Sequence, residues 1–176
     1  VGDLAYAVLT SNPNMADGTA LFHADHGNLS ASAGAPSVTT LSAARTAMRT
    51  QKEKTGGKSL NIRPAFLLVP AALETAATQL MNSTVDPQAN KGHATNPVAG
   101  MAEVVVDGRL DDASATDWYM TADPQAHDTV EITYLDGQSQ PFIEQMDQFK
   151  TDGVDLKVRI DAAATPLDWR TMYKNG

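Results

Sequence analysis

A chain of 176 residues that is 42% hydrophobic can bury one ordinary core, and no stretch of it is apolar for long enough to span a bilayer. The formal charge of −8, with acidic runs such as residues 107–112, disfavours a surface that grips nucleic-acid phosphates, which needs clustered basic side chains. Cysteine is absent, which removes disulfides, thiol nucleophiles and Cys-based zinc sites together.

The sequence opens at Val1 inside an apolar helical pattern with no initiator Met, signal peptide or basic presequence, so it reads as a fragment or a processed product. Over residues 3–10, Leu4, Tyr6, Ala7 and Val8 fit a helix that Asn12-Pro13 stops. Residues 14–36 are rich in Gly, Ser, Ala, Asn and Asp and read as an extended excursion with a short strand over 20–23. Ser37 or Thr39 can cap the next helix, in which Leu41, Ala44, Arg45 and Met48 recur at helical spacing. Gly56-Gly57 is placed to end it after Lys52, Glu53 and Lys54, giving roughly four turns.

Residues 62–69, containing AFLLV, have the length and punctuation of a buried strand. Pro70 stands where a first helical residue would, ahead of the stripe Leu73, Ala76, Ala77, Leu80 and Met81. Residues 83–99 read as a long loop. MAEVVVD, DWYMTAD, TVEITYLD, QPFIEQM and DLKVRID follow as strand-like segments, and DWRTMYKNG closes the chain. Helix, strand, helix and then several strands predict an α+β domain with no internal repeat.

Few side chains offer chemistry. His23-Ala24-Asp25-His26 matches the end of the H-x-H-x-D-H pattern of binuclear zinc hydrolases, in which imidazoles and a carboxylate converge on adjacent metals. The first histidine of that pattern would fall at Leu21, and only His93 and His127 remain as further imidazole ligands. A small metal-dependent hydrolase using His23, Asp25 and His26 is therefore the alternative reading, and a solvated turn around Asp17-Gly18 the plainer one.

No G-x-S-x-G elbow is present. Gly57-Lys58-Ser59 lacks the leading Gly of a phosphate loop and follows a helix instead of a strand, so it reads as a helix stop and turn. Asp107, Asp111 and Asp112 lack the spacing of a calcium loop and read as a solvated hairpin turn. Trp118, Tyr119 and Trp169 read as half-buried core in preference to a ligand platform. No catalytic, cofactor-binding or metal-binding residue is assigned.

Three segments taken together, SNPNMADGTALFHADHGNLS, the region around RPAFLLVPAALE, and TDGVDLKVRIDAAATPLDWRTMYKNG, resemble the major capsid (head) proteins of tailed bacteriophages and prophages. The likeness is to the Mu-like head subunits and the related protease-capsid fusion proteins. It implies an HK97-type fold with a peripheral lobe and an axial lobe around the symmetry axis of hexamers and pentamers. Laid onto this sequence, residues 1–36 are the N-terminal helix and extended loop, 37–66 the spine helix and turn, 67–148 the axial lobe, and 149–176 the returning peripheral strand and C-terminus.

The resemblance further implies self-association into an icosahedral shell enclosing DNA. The partners it implies are neighbouring subunits, with scaffold, portal or decoration proteins as further ones, and neither a membrane nor a specific nucleic-acid site. Localisation would be the virion, after assembly in the bacterial cytoplasm. A shell subunit needs no catalytic group, and an acidic wall discourages packaged DNA from sticking. On this reading residues 14–36 form an intersubunit loop. Leu21 and Phe22 alone cannot offset the ordering entropy of so many small residues, so Phe22 is expected to need a neighbour's surface.

Overall fold

The computed structural model describes residues 2–30, 34–54, 57–89, 94–149 and 152–176. Its frame is a five-stranded mixed sheet in the order β1-β9-β4-β2-β3. These strands are β1 (Leu29–Ser30), β2 (Pro64–Val69), β3 (Glu103–Val106), β4 (Trp118–Ala122) and β9 (Met172–Asn175). β2 runs parallel to β3 and antiparallel to β4, and β4 runs antiparallel to β9.

Both faces of this sheet are covered, and the two-residue period of a strand sorts the core into two layers. Leu67, Val69, Trp118, Met120 and Tyr173 face one way, against Leu41, Ala44 and Met48 of α2 (Val38–Thr50) and Ala77, Leu80 and Met81 of α3 (Glu74–Asn82). Leu68, Tyr119 and Met172 face the other way, against Val8 and Leu9 of α1 (Gly2–Ser11), Leu21, Phe22 and Leu110. Trp118 and Tyr119 thus belong to opposite layers of the core and form no platform, as expected for aromatics on a central strand.

The α2 stripe follows its sequence pattern, and its start is the expected one. The Ser37 hydroxyl accepts from Thr40 N–H at 3.1 Å, while the Thr40 hydroxyl accepts from Ser37 N–H at 2.9 Å, a reciprocal cap. Replacing Ser37 by Ala is expected to cost about 1 kcal/mol in the urea midpoint. The helix ends earlier than expected, at Thr50. Gln51 turns extended (φ −53, ψ 138) and its side-chain amide donates to His26 O at 2.9 Å, so a tertiary bond stops the helix before the charged run. The chain then reverses, with Lys52 bridged to Ser59, and Thr55 and Gly56 lie outside the described residues.

Pro70 precedes a short 3-10 turn over Ala71–Leu73, and α3 begins one turn later than Pro70 suggests. Asp111 explains that turn: its carboxylate accepts from Ala71 N–H at 2.6 Å and from Ala72 N–H at 3.3 Å. The acidic run is accordingly not a hairpin turn but α4 (Arg109–Ala113), started by Asp107 accepting from Arg109 N–H at 2.9 Å. Arg109 also pairs with Asp3 at 3.0 Å and lies over the Tyr6 ring, fastening α4 to α1. Burial, aided by a hydrogen bond to Asp107 and by its charge, pushes the Tyr6 phenol up to about 12.

Outside the sheet, β5 (Val130–Tyr134) pairs with β8 (Ala162–Pro166). Nested between them, β6 (Phe142–Asp147) pairs with β7 (Val154–Arg159). The chain therefore leaves and returns along a double-stranded arm whose outer ribbon is exposed throughout. Nothing in the local sequence predicts β8. Ala-Ala-Ala-Thr-Pro has little strand preference of its own, and its pairing with β5 makes the strand.

Candidate functional site

Residues 12–30, which hold the sequence-nominated His23, Asp25 and His26, do not form an excursion. Asn12, in the left-handed region at φ 49, clamps the backbone of Phe22 from both sides: it accepts from Phe22 N–H at 2.7 Å and donates to Phe22 O at 3.1 Å. Between these anchors Asn14 bridges Ala20 antiparallel, and Asp17 accepts from Thr19 N–H at 2.9 Å across the Gly18 turn, where φ is 82. No strand forms over 20–23. Leu21 and Phe22 instead turn inward, 0% and 1% exposed, with the Phe22 ring 5.5 Å from that of Tyr119. The expectation that Phe22 waits for a neighbour's surface is thereby overturned: the pocket it fills is its own subunit's core.

The imidazoles are part of the same stitching. His26 is buried, with Nδ1 3.1 Å from Leu21 O, Nε2 2.9 Å from an Asp17 carboxylate oxygen, and its ring stacked on Trp169 at 4.2 Å. Both ring nitrogens thus face oxygen atoms of the fold itself, so each is already engaged within the loop. Bonding to Thr19 N–H and to His26 holds the Asp17 carboxyl below the usual carboxylate range. His23 lies at the edge, its Nδ1 accepting from Asp25 N–H at 3.1 Å, and the Asp25 side chain points to solvent. The two rings are 6.4 Å apart and edge-on. No cluster of three or more His, Asp or Glu side chains placed to hold a metal exists among the described residues, and His93 lies outside them. The geometry gives the hydrolase reading no support.

Asn28, 1% exposed, bonds the backbone of its own turn, as its sequence context suggests, and also reaches far beyond it, which the sequence does not signal. Its side chain accepts from His23 N–H at 3.0 Å and donates to Leu21 O at 2.8 Å and to Trp169 O at 3.1 Å, while its own carbonyl accepts from Lys174 N–H at 2.9 Å. One amide thus joins the loop to the C-terminal segment, 141 positions away. Arg170 continues the seam, its guanidinium 4.4 Å from the Trp169 ring centroid and its Nε donating to Lys52 O at 2.9 Å.

The chain end is held by Lys174, whose Nζ lies 2.8 Å from Asp117 with both side chains about one-fifth exposed. Gly176 packs on this pair so closely that an added Cβ would fall 2.7 Å from the lysine stem. Burial works against both charges. Hydrogen bonds from Lys174 and Ser114 nevertheless hold the Asp117 carboxyl below 3.8, and Asp117 raises Lys174 above 10.5. The Asp117 contribution is complete above 3.8 and fades as pH falls through its lowered folded value; that of Lys174 is complete below 10.5 and fades as pH rises. Asp117→Asn is expected to cost about 1 to 2 kcal/mol at neutral pH. Urea midpoints of variant and parent should converge as acid protonates Asp117 in the parent.

The seam as a whole fastens residues 12–30 to the C-terminal segment. A model of the phage capsid protein family matches residues 1–175. The chain belongs to that phage capsid family. A solved structure of a phage-related protein from Bordetella bronchiseptica RB50 superposes on this capsid-family chain with a TM-score of 0.56 at 14% identity, a likeness of fold. It covers 88% of this chain and 54% of the other, so the capsid-family chain spans about half the length of that structure. No curated protein matches it. Among the described residues, no helix is long and apolar enough to cross a membrane.

Proposed function

We propose that the chain is a structural subunit of a bacteriophage or prophage head, of the HK97 type and akin to Mu-like head subunits, that self-associates into the hexamers and pentamers of an icosahedral shell enclosing DNA. The observation that carries this is the capsid-family match over residues 1–175. In support, the histidines nominated for chemistry are tied up in holding the loop to the C-terminus. The chain acts without catalytic residue, metal or cofactor. Residues 37–66 would be the spine segment of the peripheral lobe, 67–148 the axial lobe and 149–176 the returning strand.

Its partners are copies of itself, with scaffold, portal or decoration proteins joining during assembly in the host cytoplasm. The net charge of −8 suits a wall that holds DNA without gripping it. Sedimentation velocity over a concentration series tests the proposal. The expected result is a growing population of large multi-subunit species, and a single monomer boundary at every concentration would refute it.

A further inference from the structure

Antiparallel partners share a face, so the register of the β6–β7 ribbon divides its side chains sharply. Phe142 lies opposite Arg159, Glu144 opposite Lys157 and Met146 opposite Asp155 on one face. On that face charged groups partner their neighbours, Lys157 reaching Glu144 at 3.5 Å and Arg159 lying over the Phe142 ring at 5.2 Å, with Met146 exposed between charges. The other face carries Ile143 opposite Val158, Gln145 opposite Leu156 and Asp147 opposite Val154. Ile143, Val154, Leu156 and Val158 are each between 51% and 68% exposed.

We propose that this apolar face is an interface covered by a second copy of the chain, an inference that rests on the self-association put forward above. The four side chains expose roughly 450 Å², within the range of the largest patch a solitary soluble protein shows, where such patches are often functional. Two such contributions come to about 900 Å², close to the size at which a specific protein contact becomes stable. A two-stranded ribbon is at best marginal in water on its own, so an occupant on this face also accounts for the ribbon being formed.

Charge selects what the occupant is. Residues 141–160 hold three basic and four acidic side chains, so nearly all of the −8 lies on the rest of the chain. The arm is where acidic copies can meet with least repulsion, and its nearly neutral apolar face suits an apolar protein surface. The same face offers no cation to phosphate, since Lys157 and Arg159 sit on the opposite side, so DNA is not the occupant.

The test compares the parent chain with the Leu156→Ser/Val158→Ser double variant by sedimentation velocity, and with two single-thiol variants made possible by the absence of cysteine. The double variant should associate at least about tenfold more weakly, the effect of removing central anchors. Its denaturation midpoint should hold, since neither side chain belongs to either core layer. In associated material the thiol of Leu156→Cys should resist maleimide while that of Lys157→Cys, on the opposite face, reacts freely. This thiol comparison decides the matter even if the double variant unfolds. Equal reactivity of the two thiols in associated material, or undiminished association of a folded double variant, overturns the interface and leaves self-association standing. A parent chain that is monomeric at every concentration overturns both.

Discussion

Phe22→Ser is expected to destabilise the isolated subunit by about 3 to 5 kcal/mol, the cost of emptying a fully enclosed aromatic site and placing a hydroxyl there. The ring is 1% exposed and packs against Tyr119, and the Phe22 backbone is pinned by both functional atoms of Asn12, so the surrounding chain has little freedom to close the gap. A urea titration reads this directly as a lowered midpoint. An unchanged midpoint combined with lost assembly would return Phe22 to the intersubunit role that its sequence context suggests.

Asn28→Ala should cost about 2 to 3 kcal/mol, because it removes the acceptor for His23 N–H and the donor to Trp169 O, each worth on the order of 1 kcal/mol or more when left unmet in a buried place, and leaves Leu21 O to the His26 ring alone. Asn28→Asp separates the hydrogen bonds from the packing. The carboxylate keeps the volume and the acceptor but cannot donate to either carbonyl, so it should lose most of the same stability at neutral pH. Denaturation midpoints check both variants, and a near-parental Asn28→Asp would show that the two carbonyls do not depend on this donor.

The elements that were legible in the sequence are those whose cause is local. Leu41, Ala44 and Met48 recur on one helical face, and AFLLV and DWYMTAD have strand length and strand residues, so β2, β4 and the start and buried stripe of α2 stand where the pattern puts them, while the stop of α2 at Thr50 does not. What escaped is fixed by side chains distant in sequence. The inward turn of Leu21 and Phe22 depends on Asn12 and Asn28 amides whose partners reach as far as Trp169, and nothing within a window of small polar residues signals that bonding. In the acidic run, Asp111 serves the backbone amides of Ala71 and Ala72, 40 and 39 positions earlier, a demand invisible at its own location.

The candidate site divides along the same line. HADH presents metal-ligand residue types at a suggestive spacing, but Leu21 O, Asp17 and the Trp169 ring take up His26, and only the folded chain brings them together. The capsid family was legible because segments spread along the whole chain resemble it in order, and the family match extends over residues 1–175. The strands of the outer arm were legible by alternation. That one of the arm's two faces is apolar and uncovered follows only from the register of β6 against β7.

The most direct test of the proposed role is electron microscopy of the chain after expression in bacteria. Closed shells, or six- and five-fold rings of subunits, are the predicted result. A uniform field of single subunits at high concentration, with none of these assemblies, would contradict it.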